Sequence, residues 1–259
     1  MSKIHPTAIV DAHAELADDV EVGPYAVIGP DVKIGSGTVV QSHAYLDGHL
    51  TIGQRCQIFP FVALGMKTQD LKYKEGDITY AEIGDDTVMR EFSTLHLGTR
   101  ANEVTHVGSH CLIMAYCHIA HACQVGDHVI MSNAATLAGE VQVHDYAIIG
   151  GLTAVHQFCR IGTYAMIGGA SAVRQDCPPY MIAEGKDVGM AIRSPNLVGL
   201  DRHGFSKETR AILKDAFRLL YREGLNHSQA LERIRLEIEP IPEIQTLLQF
   251  FAASQRGVY

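Results

Sequence analysis

An aliphatic residue returns at every sixth position through the first two thirds of this chain. The ladder runs from Ile4, Val10, Leu16, Val22 and Ile28 to Leu64, resumes at Ile83, Met89 and Leu95, and runs again from Val107 to Val173. A small residue such as Ala8, Ala26, Ala44, Ala135 or Ala165 stands two places earlier, and glycine often follows, as at Gly23, Gly53, Gly84 and Gly126. Neither a helix of about 3.6 residues per turn nor an alternating hairpin meander has this period. A parallel β-helix has it. Short strands and tight corners wind into a prism, and the recurring aliphatic residues point inward and stack coil on coil. Three such sides predict coils of about 18 residues, spaced about 4.8 Å apart. The period leaves the hand of the coil open.

The same ladder accounts for most of the cysteines. Cys56, Cys111, Cys117, Cys123 and Cys159 each stand two places before a ladder aliphatic, where they read as small core residues. Cys177, before Pro178 and Pro179, falls outside the ladder and reads as incidental. Neither a zinc spacing nor a disulfide framework is visible. The ladder breaks twice, at about 65–80 (GMKTQDLKYKEGDITY) and about 97–106 (LGTRANEVTH). A long loop inside a repeat array is usually functional or disordered, and the first one, compact and holding Tyr73 and Tyr80, reads as functional.

Beyond the two prolines a linker is expected to about residue 204, followed by helices. Ser206 is an N-cap for a helix near 207–223, and Asn226 with Gln229 forms a capping box for the next. Pro240 and Pro242 end that one, and a last helix near 243–254 carries Leu247, Leu248, Phe250 and Phe251. The expected division is therefore a β-helix over 1–190 and a linker with a helical domain over 191–259. In the first long helix Arg210, Lys214, Arg218 and Arg222 recur every four residues. That row is either a solvated face or a docking surface for an acidic protein.

The net charge of −8 argues against a general nucleic-acid binder. No apolar run approaches the roughly 20 residues of a membrane span, and MSKIHPTAIVDAHAEL has no signal-peptide core. A cytoplasmic protein is expected.

Residues 115–123 read AYCHIAHAC, with His118 and His121 three apart among small and apolar side chains. These could be buried fillers, metal ligands or the working end of an enzyme. Coil arithmetic adds that Gly139 lies 18 positions after His121, one coil along the same face. A glycine there lets a substrate approach the backbone.

Several stretches together carry a resemblance: IHPTAIV near the start, QDLKY (69–73), HIAHAC (118–123), NAATLAG (133–139), IIGGLTAVHQF (148–158), DCPPY (176–180) and LDRHGFS (200–206). Over essentially its whole length the chain resembles the UDP-N-acetylglucosamine O-acyltransferases, which begin lipid A synthesis. The resemblance implies a left-handed parallel β-helix with a C-terminal α-helical domain, a homotrimer, and active sites between neighbouring subunits. It implies transfer of a (3R)-3-hydroxyacyl group from acyl carrier protein to the 3-hydroxyl of UDP-N-acetylglucosamine. No metal or cofactor is implied, since the phosphopantetheine arrives on the carrier.

The residue roles follow from the same resemblance. His121 matches the general base, which needs a group of near-neutral pKa, and Gly139 the oxyanion donor through its backbone N–H. His118 matches a residue near the sugar nucleotide. Gln69, Asp70 and Lys72 match sugar-contacting residues of the first loop. His156 and Gln157 match residues along the acyl-donor cleft. Asn196 and Arg202 match nucleotide and pantetheine contacts, and Gly169 the position that limits acyl length, where a glycine favours a long chain.

The chain also departs from the family pattern. Ala122 stands where an Asp usually follows the base, Glu140 where His is common, His203 where Arg is common, and Val198 where an acidic residue is usual. Some members acylate a 3-amino analogue of the sugar nucleotide, and that acceptor stays open. The competing readings are a sister N-acyltransferase, disfavoured because the repeats already begin at Ile4, a carbonic-anhydrase-like zinc enzyme, and a bare structural solenoid.

Overall fold

In the computed structural model, which describes residues 3–186 and 189–259, the ladder is a three-faced parallel β-helix followed by four helices. Most strands are only two residues long. They stack into one sheet per face, of 11, 9 and 8 strands. Regular coils pair residues 18 apart, as in Ile119 with Leu137 and Met131 with Ile149. The ladder side chains are fully inside: Leu46, Ile58, Leu95, Ile119, Met131 and Leu137 are all 0 % exposed. The first coil has no coil beneath it among the described residues, and Ile4 stays 43 % exposed.

From Tyr25 onward most corners turn on a residue with positive φ, and many of these are not glycine. Ala122, Glu140 and Phe158, at φ 55°, 60° and 66°, form one such column. An L-residue there gives up roughly 1 kcal/mol, which the packed coils on either side over-determine. At other corners the same conformation aims aromatic rings outward in stacks. Phe61, Phe92 and Tyr116 lie 5.1 and 4.9 Å apart, and Tyr146 and Tyr164 lie 4.6 Å apart.

Both breaks open from the same corner. Across the first, Ile52 pairs with Ile83, and across the second Ile83 pairs with Val107, in place of the 18-residue lag. The extra chain lies between Met66 of the second face and Tyr80 of the third, and then between His96 and Val104 of the same two faces. Strand pairing has resumed by Val104, so the second excursion is shorter than the expected 97–106. His121 and Ala122 occupy this corner in the next coil.

The end of the prism differs from the expected linker. Cys177 is 1 % exposed and bridges Ile161, so it is a core residue of one more coil, 18 places after Cys159. It is not incidental; the prolines only end the aliphatic ladder. Met181–Lys186 then adds a parallel strand and turns back on Gly189–Pro195 in an antiparallel hairpin. The hairpin crosses the boundary expected at 190.

Helices α1 (Leu197–Arg202), α2 (Lys207–Tyr221), α3 (His227–Glu237) and α4 (Pro242–Ala252) follow. Ser206 caps α2, and Asn226 with Gln229 forms the capping box of α3. They close a small core of Leu200, Leu213, Leu220, Ile234 and Leu247 around Tyr180. The basic row on α2 is largely paired within the chain. Arg210 meets Asp201 at 2.7 Å, Arg218 meets Glu223 at 3.6 Å, and Arg222 donates to the Arg193 carbonyl.

Candidate active site

The corner carrying both excursions also gathers the reactive side chains. A cleft of about 300 Å³ there is lined by Gln69, Asp70, Lys72, His96, His118, Ala120, His121, Ala138, Gly139 and Gln157. Seven of the expected site residues therefore meet in one place. The column His121, Gly139, Gln157 repeats at the coil length, with each member following a second-face strand at the same offset. The first loop hangs over this column from two coils away.

His121 is 8 % exposed, with Nε2 toward the cleft and Nδ1 buried without a hydrogen-bond partner among the described residues. Nε2 lies 3.6 Å from Asp70 Oδ2, beyond a direct hydrogen bond. The loop itself aims Asp70. Its backbone N–H donates to Thr68 Oγ1, and its Oδ1 accepts from the Lys72 N–H at 3.0 Å, which leaves Oδ2 for the cleft.

Gly139 lies directly above the imidazole. A Cβ built on it would stand 2.1 Å from His121 Nε2, so glycine is required for clearance and no unusual φ is involved. Its N–H has no acceptor among the described residues, while the next one, from Glu140, bonds the His121 carbonyl at 2.9 Å. The site thus pairs a ring nitrogen with a free backbone donor about one coil spacing away.

His118 points outward from the second face and shares a 2.7 Å hydrogen bond with Thr94 Oγ1 one coil below. Burial lowers its pKa. His96, absent from the sequence reading, stands edge-on to His118 with ring centroids 4.7 Å apart. Its pKa is lowered to about 4, first by burial and then by repulsion from His118 and His121. The signal for it lies in coil arithmetic. Leu95 pairs with Ile119, so His96 belongs beneath Ala120 once the second excursion is subtracted.

His96 should make the fold acid-sensitive. An unfolded imidazole protonates near 6.5 and folded His96 only near 4, so between those values the unfolded chain binds more protons. Its contribution is complete above pH 6.5 and is lost as pH falls toward 4, about 3 kcal/mol in all. Urea unfolding at pH 7 and pH 4.5 should show His96→Met losing clearly less stability on acidification than wild type. Equal losses would show that other groups carry the dependence.

The remaining expected residues lie outside the cleft. His156 is exposed, with Nδ1 3.2 Å from Arg256 Nη2 of the C-terminal segment. Gly169 belongs to a second hollow, of about 800 Å³, with Ala170, Ala172, Arg174, Gln175, Gly185, Gly189, Met190 and Tyr259. Between the two, the outward residues of the second face step through His118, Thr136, Ala154 and Ala172. They shrink along the way and leave a smooth track.

Asn196 is the N-cap of α1. Its side chain accepts from the Gly199 N–H and donates to the Tyr164 carbonyl at 2.9 Å, so in this chain it is occupied by local structure. Arg202 is exposed on the same short helix. Ala122 and Glu140 face away from the cleft, into a third hollow of about 660 Å³ that also meets Glu103, Phe158 and Arg160. Glu140 stands one coil above Ala122, so a carboxylate is present in that corner column after all. No three His, Cys, Asp or Glu side chains among the described residues converge as a metal ion requires. No described helix is long and apolar enough to cross a membrane.

Comparison with known proteins gives the family and the fold. The profile described as UDP N-acetylglucosamine O-acyltransferase, domain 2, matches residues 176–259, and the bacterial transferase hexapeptide profile matches 13–48 and 105–139. The acyl-[acyl-carrier-protein]–UDP-N-acetylglucosamine O-acyltransferase of Syntrophobacter fumaroxidans is 49 % identical over 257 residues, 99 % of each chain. That of Thermodesulfovibrio yellowstonii is 48 % identical over 259 residues, covering 100 % of this chain and 99 % of the relative. The LpxA structure from Acinetobacter baumannii superposes with a TM-score of 0.93 at 45 % identity, covering 98 % of each chain. The coil accordingly takes the left hand expected of this family. Hexapeptide coils, a helical tail and curated relatives of nearly half identity over the full length lead to one assignment: the chain belongs to the UDP-N-acetylglucosamine O-acyltransferase family.

Proposed function

We propose that this enzyme transfers a (3R)-3-hydroxyacyl group from acyl carrier protein to the 3-hydroxyl of UDP-N-acetylglucosamine, the first step of lipid A biosynthesis. The observation that carries the mechanism is the pairing of His121 Nε2 with the free Gly139 N–H. His121 Nε2 takes the proton of the acceptor hydroxyl as its oxygen attacks the thioester carbonyl. The Gly139 N–H donates to the carbonyl oxygen as it becomes negative. The C–S bond then breaks, and the pantetheine sulfur leaves with the proton held by His121. Acyl–oxygen and S–H bonds replace acyl–sulfur and O–H, and no other reagent is consumed.

Asp70 Oδ2, 3.6 Å from Nε2, accepts a hydrogen bond from the sugar seated beside the pair. Gln69, Lys72 and His118 line the sugar-nucleotide end, with Gln157 toward the donor. His156 and the track from Thr136 to Ala172 lead the acyl chain to Gly169, whose open hollow suits a long chain. Arg202, exposed and outside the lining of its own chain's cleft, serves a neighbouring copy in a homotrimer, while Asn196 shapes the start of the helix that carries it. The substrates place the reaction in the cytoplasm, and phosphopantetheine enters only on the carrier.

One observation favours a second acceptor. His121 Nδ1 has no partner to steady the imidazole among the described residues, and an amine needs less help from a base than a hydroxyl does. The test offers purified enzyme (3R)-3-hydroxyacyl carrier proteins of several lengths with UDP-N-acetylglucosamine or its 3-amino analogue, and reads products by mass spectrometry. Product with the natural sugar and a long chain is expected. Product with the amine alone would change the acceptor, and no product with any pair would overturn the reading.

A further inference from the structure

The second excursion touches the cleft only through its neighbours, yet it is wired to the loop that aims Asp70. Glu103, whose side chain is 18 % exposed, gathers that excursion. Its Oε2 accepts from the Thr99 N–H at 2.6 Å and from the Arg100 N–H at 3.1 Å, and its Oε1 meets Arg100 Nη1 at 3.3 Å. The turn so formed presents Thr99, 3 % exposed, to Thr68, 8 % exposed, and their hydroxyls lie 3.1 Å apart. Thr68 Oγ1 is also the acceptor for the Asp70 N–H, at 3.1 Å. The Arg100 guanidinium continues to Glu140 Oε1 at 3.4 Å, beside Gly139.

We propose that Thr99, held by Glu103, is a positioning residue that braces the Thr68–Asp70 turn and so sets Asp70 against His121. The proposal rests on the reading of Asp70 and His121 as the groups that meet the acceptor sugar. Arg100 is a minor part of the brace, because it is 63 % exposed and exposed ion pairs contribute little. The buried hydroxyl pair carries the constraint. A loop of this length would otherwise sample many placements of its carboxylate, and errors of an ångström at a reacting group are costly.

Thr99→Val keeps the shape and deletes the hydroxyl, and Thr99→Ser restores it. In the full-length enzyme Thr99→Val should lower kcat about tenfold, leave the KM for acyl carrier protein unchanged, and be rescued by Thr99→Ser. Glu103→Gln, which keeps acceptors for both N–H groups, should cost less than Glu103→Ala. The decisive measurement is the cycle with Asp70→Asn. With Asp70 already disabled, Thr99→Val should cost less than about twofold. The same loss in both backgrounds, or none in wild type, would overturn the brace. An Asp70→Asn enzyme as fast as wild type would also overturn it while leaving transfer by His121 intact. Failure of the wild-type transfer assay would instead remove the underlying reading.

Discussion

Gly139→Ala should reduce acyl transfer by at least about a hundredfold and leave the fold in place. The added methyl would lie 2.1 Å from His121 Nε2 and 2.3 Å from Cε1, far inside van der Waals contact. The obstacle is a side chain, so the strain is relieved when the imidazole turns away, and the coil pairing through the Glu140 N–H and the His121 carbonyl survives. Turning it away removes the base, which is worth about 10²–10⁴-fold, and pulls it from the oxyanion donor as well. His121→Ala should lose a similar factor. Because both changes disable one unit, the double variant should be scarcely slower than either single one. Purified single and double variants, compared by kcat/KM and by melting temperature, check this. A Gly139→Ala enzyme with more than a tenth of wild-type activity would mean that Nε2 is not the reacting atom.

How far such a site can be read from a sequence depends on how regular the coil is. Where the period holds, arithmetic gives three-dimensional neighbours directly. Residues 121, 139 and 157 form a column because each step is one coil, and the same rule puts five of the cysteines in the core. Where the period breaks, the arithmetic needs the length of the excursion. His96 escapes the sequence for that reason, since its place beneath Ala120 appears only once the extra residues are removed. Both excursions leaving from one corner is likewise legible only after register is known.

Other features lack any periodic signal. Nothing aliphatic marks Cys177, so its coil is silent in the sequence, and the hairpin ending at Pro195 has neither the six-residue repeat nor a tight-turn pair to announce it. Asn196 shows a different limit. The residue type suits a nucleotide contact and a helix cap equally, and only the coordinates show both ends of its amide in use at Gly199 and Tyr164. The row on α2 is visible from its spacing, but spacing cannot reveal that Asp201 and Glu223 already neutralise Arg210 and Arg218.

Asp176→Ala should be the most destabilising change outside the aliphatic core, at about 3–5 kcal/mol. The carboxylate is 0 % exposed and joins three parts of the chain. Its Oδ1 accepts from the Arg160 N–H at 2.8 Å on the third face, and its Oδ2 accepts from Ser254 Oγ at 2.8 Å beyond α4. The Arg160 guanidinium lies 3.9 Å away, stacked over Phe250 of α4 at 4.3 Å. The backbone of Asp176 pairs with Gly257 and Tyr259 of the C-terminal segment. Alanine would strand a buried N–H and a hydroxyl and remove the counter-charge of a largely buried guanidinium, which keeps only the Phe250 carbonyl and ring, whereas Asp176→Asn would keep an acceptor and should cost about half as much. At this chain length the alanine variant should melt roughly 10 °C lower. The same segment carries Arg256 to His156 and lays Tyr259 along the hollow at Gly169. Loosening it should therefore raise the KM for long-chain donors more than for short ones. A melting temperature within about 2 °C of wild type would show that the helical tail is held by its apolar contacts alone, through Phe217 and Tyr221.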